Sequence, residues 1–155
     1  MLKRLARADR TEYGFQTDLS CTQRIDGEGN IWRIDQELRF LSHICGLIRV
    51  PVGFITDFAS VPRYIPIISA MLIGQANASA TVHDYLYRKN PSTDVPRIWA
   101  DQIFLEAMEF EKVGAIQRVL LYQGARAFGW MHYQKIEQDD IALRARYRQG
   151  RLAYA

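Results

Sequence analysis

The sequence predicts an α+β fold, in which a small antiparallel β-sheet from the first third of the chain packs against about three helices. Two observations predict it. The hydrophobic pattern changes after the first third from a mixture of aromatic, β-branched and polar residues to apolar residues at helical spacing. A length of 155 residues suits one domain with its own core. We therefore expect a single domain over 1–155, with a sheet-rich part over 1–60, a helical part over 61–137 and a basic tail over 138–155.

The sheet-rich part contains three strand-like segments. Those over 13–25 and 31–40 flank a cluster of turn-forming residues, Asp-Gly-Glu-Gly-Asn, and are predicted to pair as a hairpin. A third strand system follows over 44–55 and is interrupted at Pro51 and Gly53. A proline within a strand predicts an edge or a bulge.

Three helices are predicted in the remainder of the chain. The first covers 75–88 and places four residues on one face at spacings of three and four: Val82, His83, Leu86 and Tyr87. The second begins near Pro96, because proline suits the first turn of a helix. Its apolar stripe contains one carboxylate: Ile98, Asp101, Phe104, Leu105 and Met108. The third follows Gly114 and ends near Trp130.

Composition excludes several classes of protein. Lys and Arg number 20 against 17 Asp and Glu, and a net charge of +3 is too small to identify a nucleic-acid binder by itself. Two cysteines are too few for a disulfide scaffold. The longest apolar stretch, 65–74, is about half the length of a membrane helix, and the basic start lacks the apolar region of a secretory signal. We expect a soluble protein without a transmembrane segment, made in a cytoplasm.

Two polar residues, His83 and Asp101, interrupt the apolar stripes of the first two helices. A buried carboxylate is costly unless it is paired and hydrogen-bonded, so we expect His83 to be the partner of Asp101. Tyr87 lies one turn after His83 and can reach the same carboxylate. Two interpretations remain open. Either His83 is a general base oriented by Asp101, or the three side chains form a structural cluster that joins two helices.

Asp84 adjoins His83 and points about 100° away around the helix. It is a candidate ligand for a divalent cation, with Asp57, backbone carbonyls of the 53–60 loop and water as the other ligands. Calcium is favoured over zinc, because the helices carry no His pair at ligand spacing and the cysteines lie far from His83. The alternative is that Asp84 is simply solvated.

The loop after Gly53 places polar residues between aromatic ones. Thr56, Asp57 or Ser60 can cap the turn that follows. Asp57 can also pair with Arg63, and these polar side chains are the remaining candidates for a binding site.

Three motifs in order resemble a family of unknown function that is common in bacteriophages and prophages. They are Gly-Phe-x-Thr-Asp-Phe-Ala-Ser-Val-Pro-Arg over 53–63, His-Asp-x-Leu-Tyr over 83–87 and Ala-Asp-x-x-Phe over 100–104. The resemblance extends over about 50–129. It implies a phage or prophage origin and supplies no activity.

A more distant resemblance concerns the chemistry of the helices. His-Asp-x-x-Tyr on one helix and Asp with a nearby Phe on the next are similar to the catalytic helices of secreted phospholipase A2, and more so to those of parvovirus capsid proteins. The resemblance implies that His83 activates a water, Asp101 orients His83, Tyr87 bonds to Asp101 and Asp84 holds calcium. Those enzymes carry a glycine-rich calcium loop that is absent here, so the 53–60 loop would have to replace it.

Three functions follow as hypotheses. The first is a metal-assisted hydrolase that acts on a phospholipid, or on another ester or amide of the host envelope, during entry or lysis. The second is a non-catalytic tail or baseplate component that binds other phage structural proteins and is associated with the virion. The third is an intracellular protein that modulates the host through a partner. In that case the basic tail would contact an acidic partner, a phosphate backbone or an anionic surface through Arg144, Arg146, Arg148 and Arg151.

Overall fold

The computed structural model describes residues 12–23, 31–58, 76–88 and 95–131. In these ranges it has an α+β fold, as predicted, with two small antiparallel sheets and three helices. The strands are β1 (Gly14–Phe15), β2 (Cys21–Gln23), β3 (Trp32–Ile34), β4 (Leu38–Ser42), β5 (Gly46–Val50) and β6 (Ile55–Thr56). The helices are α1 (Asn77–Tyr87), α2 (Arg97–Phe110) and α3 (Ala115–Phe128), followed by a 3₁₀ turn, Gly129–Met131.

The predicted hairpin is present but is divided between the two sheets. Cys21 pairs with Ile34 in the β2–β3 ladder, and Phe15 pairs with Phe40 in the β1–β4 ladder. The first sheet has the order β1-β4-β5 and the second the order β2-β3-β6. The single sheet expected from the sequence is therefore two sheets that share the same long hairpin. Its predicted turn lies outside the described residues.

The interruption at Pro51 and Gly53 is the point where the chain moves from one sheet to the other. Gly53 has a φ of +84°, a left-handed conformation that favours glycine. Its amide donates to the carbonyl of Ile34 at 2.7 Å, and the amide of Ile34 donates to the carbonyl of Phe54 at 2.9 Å. After the interruption, β6 therefore pairs with β3 rather than with β4. Both β5 and β6 are edge strands, which agrees with the proline.

The core forms where α1 and α2 pack on the strands. Strand β4 shows how the sequence produces it, because Leu38 and Phe40 are buried and Arg39 between them is exposed. The buried residues of this cluster include Ile34, Leu38, Phe40, Ile48, Val50, Val82, Leu86, Ile103 and Ala107. A second cluster joins α2 to α3 and includes Phe104, Met108, Leu121 and Ala125. Helix α2 thus has neighbours on two sides, which places Asp101 in the interior.

The start of α1 is capped from another element. Its own N-cap residue, Ala76, has no side chain able to accept a hydrogen bond. The carboxylate of Glu111, one residue beyond α2, accepts instead from the amides of Ala78 and Ser79 at 3.0 and 2.9 Å and from the Ser79 hydroxyl at 2.5 Å. A carboxylate there satisfies exposed amides and complements the helix dipole. This contact positions α1, and with it His83, against the end of α2.

Candidate active site

Asp101 is the centre of a buried polar cluster. Its side chain is fully buried on α2. Its Oδ1 accepts a hydrogen bond from Nε2 of His83 at 3.0 Å and another from the hydroxyl of Tyr87. Both donors lie on α1, one turn apart, so they reach the same oxygen. The structure therefore brings together His83, Tyr87 and Asp101, which the sequence analysis grouped from their positions on apolar stripes.

Two arginines complete this cluster, and the sequence analysis missed both. Arg126 on α3 donates from Nη1 to Oδ2 of Asp101 at 2.8 Å. Nη1 of Arg97 lies 4.0 Å from the same oxygen and donates to the backbone carbonyl of Arg126 at 3.3 Å. The spacing of Arg97 and Asp101, four residues on one helix, is a signal that could have indicated the first contact. No local signal indicates Arg126, because it comes from a different helix.

The electrostatics of the cluster favour an ionised carboxylate. Burial by itself would raise the pKa of Asp101, but hydrogen bonds from His83, Tyr87 and Arg126 outweigh it and hold that pKa below its ordinary value. Burial, the negative charge of Asp101 and the hydrogen bond to it all raise the pKa of Tyr87, although Arg97 partly opposes them. The hydrogen bond to Asp101 raises the pKa of Arg126. At neutral pH the cluster thus contains a carboxylate anion and a protonated Tyr87 hydroxyl.

The imidazole of His83 has a defined orientation. Its ring centroid lies 4.5 Å from that of Phe104 in a stacked arrangement and 4.1 Å from that of Tyr87. An ionised carboxylate only accepts hydrogen bonds, so Nε2 must carry the proton that it shares with Asp101. Proton exchange with a reacting molecule would therefore use Nδ1. The His83 side chain is 3% exposed.

Gly129 allows the chain after α3 to pass closely over Tyr87. A Cβ atom at Gly129 would lie 2.4 Å from the Tyr87 hydroxyl oxygen and 3.0 Å from its Cε2. The hydroxyl cannot simply move aside, because it is bonded to Asp101. Gly129 therefore permits a close approach of the chain that covers the Tyr87 side of the cluster.

The predicted cation ligands are Asp84, which follows His83 in α1, and Asp57, which follows β6. The hydroxyl of Thr56, at the end of β6, donates to Oδ2 of Asp84 at 2.5 Å and accepts from the amide of Phe58 at 3.1 Å. Thr56 thus bonds within its own turn and joins the second sheet to α1, while the helical turn that it was expected to cap lies outside the described residues. Asp84 is half-buried, and Asp57, which follows Thr56, is exposed. Ser60 and Arg63 lie outside the described residues.

These carboxylates are at most part of a metal-ligand set. In the described ranges, no three or more His, Cys, Asp and Glu side chains form a group that could hold a metal ion. The predicted calcium site would need oxygen ligands beyond Asp84 and Asp57.

A further polar cluster, which no motif indicated, lies at the β4–β5 turn. Glu106 on α2 accepts from the Ser42 hydroxyl at 2.5 Å and from the His43 amide at 2.8 Å, and it contacts Nδ1 of His43 at 2.6 Å. The His43 ring stacks on Tyr13 with centroids 3.6 Å apart. Burial and the nearby Glu106 raise the pKa of Cys45 to about 12, so this thiol is a poor nucleophile. The cluster fastens the turn to α2.

Comparison with known proteins identifies the family of the chain but no activity. A family model described as "Protein of unknown function (DUF1353)" matches residues 32–125. This range includes His83, Tyr87 and Asp101. No curated protein and no solved structure matches at a significant level. None of the helices in the described residues is both long and apolar enough to cross a membrane. The chain belongs to the DUF1353 family of proteins of unknown function.

Proposed function

We propose that this protein is a hydrolase in which His83 acts as the general base that activates water. The observation that supports the proposal is the hydrogen bond between Nε2 of His83 and the buried, ionised Asp101. A carboxylate in this position holds the imidazole in one tautomer and stabilises the imidazolium ion that forms during catalysis. Tyr87 and Arg126 are positioning residues in this scheme, because they act on Asp101 rather than on a substrate.

The reaction follows from this arrangement. Nδ1 of His83 takes a proton from a water molecule as its oxygen attacks the carbonyl carbon of an ester or amide. The carbon–oxygen or carbon–nitrogen bond to the leaving group then breaks, and the leaving group receives the proton from Nδ1. Asp101 remains ionised throughout and offsets the transient charge on His83. A phospholipid or another ester or amide of a host envelope is the proposed substrate, in keeping with the resemblance of the two helices to phospholipase A2.

A divalent cation belongs to the proposal as a second element. Asp84 directly follows His83 in α1, and its bond to Thr56 holds it beside the turn that carries Asp57. Calcium bound by Asp84 and Asp57 would polarise the substrate carbonyl. The experiment below tests the cation separately from the base.

The second candidate function is a non-catalytic role in a phage particle. The observation that favours it is the burial of His83, whose side chain is only 3% exposed and packs against Phe104 and Tyr87. In this role the cluster would simply hold α1, α2 and α3 together, with other phage structural proteins as partners.

Replacement of His83 by glutamine distinguishes the two candidates. Glutamine can still donate to Asp101 but cannot act as a base. We expect His83→Gln to lower hydrolysis of phospholipid vesicles or of a chromogenic ester by about 10²–10⁴-fold, with its circular dichroism spectrum unchanged. His43→Gln is the matched control, and we expect it to retain activity, because His43 lies at the β4–β5 turn.

The assays are run with calcium, with zinc and with a chelator. Loss of activity in the chelator that calcium restores would support the cation. Absence of hydrolysis under all three conditions, together with a His83→Gln variant that only melts at a lower temperature, would reject the hydrolase and favour the structural role.

A further inference from the structure

We infer that Arg97 and Arg126 form a binding site for a phosphate group beside His83. The inference deepens the proposed function, because it names the class of substrate, and it rests on that function for the catalytic role of the site. Phosphate binding itself depends only on the two arginines and is measured without any reaction.

The hydrogen bonds that Asp101 accepts do not include Arg97. Its oxygens already accept hydrogen bonds from His83, Tyr87 and Arg126, with Nη1 of Arg126 at 2.8 Å. Nη1 of Arg97 lies 4.0 Å from Oδ2, which is beyond hydrogen-bonding distance. Arg97 is therefore not required to satisfy the buried carboxylate.

Arg97 and Arg126 together carry more positive charge than Asp101 balances. Asp101 is the only carboxylate within ion-pair distance of Arg97 or Arg126 in the part of the chain that the structure describes. Two guanidinium ions therefore lie against one carboxylate, and the protonated Tyr87 hydroxyl adds no negative charge. Among the described residues, one positive charge of this pair has no counter-charge in direct contact, and an anion at this position would supply it.

The side chains of Arg97 and Arg126 are both partly exposed and held in place. The side chains of Arg97 and Arg126 are 21% and 31% exposed, whereas that of Asp101 is fully buried. The two arginines thus extend from the buried cluster to the surface. Arg97 is held by the backbone carbonyl of Arg126, and Nη1 of each arginine lies within 4.0 Å of Oδ2 of Asp101, so the two guanidinium groups are adjacent.

The geometry favours phosphate over a carboxylate as the ligand. A guanidinium group has five N–H donors, and the contacts described above involve Nη1 of each arginine. One guanidinium can satisfy a planar carboxylate in a bidentate pair. The tetrahedral oxygens of a phosphate can be shared between two guanidinium groups that approach from different helices.

Titration of the intact protein with inorganic phosphate tests the site. We expect the wild-type protein to bind phosphate. We expect Arg97→Gln to lower its affinity for phosphate by at least about tenfold, because one charge-assisted hydrogen bond is lost. Arg49→Gln is the matched control, since Arg49 is 56% exposed on β5 and its nearest acid, Glu37, is 4.0 Å away. We expect Arg49→Gln to bind like the wild type.

A further variant keeps the test independent of folding. Arg97→Lys retains the charge but not the forked donors, so we expect intermediate affinity. No binding by the wild type, or equal affinity of wild type and Arg97→Gln, would overturn the inference.

The source of the phosphate is resolved with two probes, glycerol 3-phosphate in solution and vesicles of phosphatidylglycerol. Binding of either probe that Arg97→Gln weakens supports the site, and the probe that binds identifies a soluble ester or a lipid headgroup. Arg97-dependent binding without any hydrolysis would reject the proposed function and keep the site. Hydrolysis of an uncharged ester by a protein that binds neither probe nor inorganic phosphate would keep the proposed function and reject the phosphate site.

Discussion

Asp101 shows how much a single buried residue can require of the surrounding fold. Its carboxylate is stable inside the protein because donors from the two neighbouring helices bond to it: His83 and Tyr87 from α1, and Arg126 from α3. Removing one member of such a buried charge pair is costly, because the other member is left without its counter-charge. The residue therefore controls both the proposed chemistry and the packing of the helices.

The stability contributed by Asp101 is expected to depend on pH. Its pKa is lower in the folded protein than in the unfolded chain, so the contribution is fully present above the unfolded value of about 4. It is lost as the pH falls through the lower, folded pKa. We expect Asp101→Asn to lower the free energy of unfolding at pH 7 by about 3–5 kcal/mol, and the difference from the wild type to shrink in acid.

Urea unfolding at pH 7 and at pH 3 measures this difference. Asp35→Asn is the control, because the Asp35 side chain is 30% exposed and pairs with Arg33 at the surface. Its effect should be about 1 kcal/mol or less. An Asp101→Asn variant as stable as the wild type at pH 7 would show that the carboxylate is not a net source of stability.

At the scale of the element, α3 has an unusual distribution of apolar residues. Only Leu121 and Ala125 are buried along the helix. The opposite face exposes apolar side chains at helical spacing, namely Ile116, Val119 and Leu120, with Trp130 following the helix. Because apolar residues occur on both faces, their periodicity predicts the helix but not the face that enters the core. Tertiary packing selects the face that also delivers Arg126 to Asp101.

Adjacent leucines of α3 provide a matched pair for this assignment. Leu121 is 2% exposed, and Leu120 is 44% exposed. We expect Leu121→Ala to lower the free energy of unfolding by about 2–5 kcal/mol, because it leaves a cavity against α2. The same change at Leu120 should cost about 0.5 kcal/mol or less. Chemical denaturation of both variants measures the effects, and equal losses would contradict the assignment of the buried face.

At the scale of the whole molecule, polar contacts add to the hydrophobic core by connecting described elements that are distant in sequence. Glu111 joins the end of α2 to the start of α1, and Glu106 joins α2 to the β4–β5 turn. The hydroxyl of Thr56 joins the second sheet to Asp84 on α1. The sheets and the helices thus form one unit in the described residues, and the position of His83 depends on all of these elements.

The contact between Thr56 and Asp84 is expected to be the most sensitive of these connections. Thr56 is 1% exposed, and valine retains its shape without its hydroxyl. We expect Thr56→Val to lower the free energy of unfolding by about 1–3 kcal/mol, because Asp84 and the Phe58 amide lose a partner. Thr22→Val is the control, since Thr22 is exposed and bonds to Asp35 on the surface. Similar melting temperatures for the two variants would contradict the proposed importance of this contact.

The sequence by itself determined the α+β class, the break near Pro51 and the meeting of His83, Tyr87 and Asp101. These features follow from local patterns, because each signal depends on residues that are close together in the sequence. The signals are the hydrophobic period, the proline in a strand and the polar residue on an apolar stripe. Only the tertiary structure decided the division into two sheets, the cap from Glu111 and the two arginines at Asp101. Each of these depends on which distant segments pack together. A buried charge in the sequence predicts that partners exist, but it does not predict which helix supplies them.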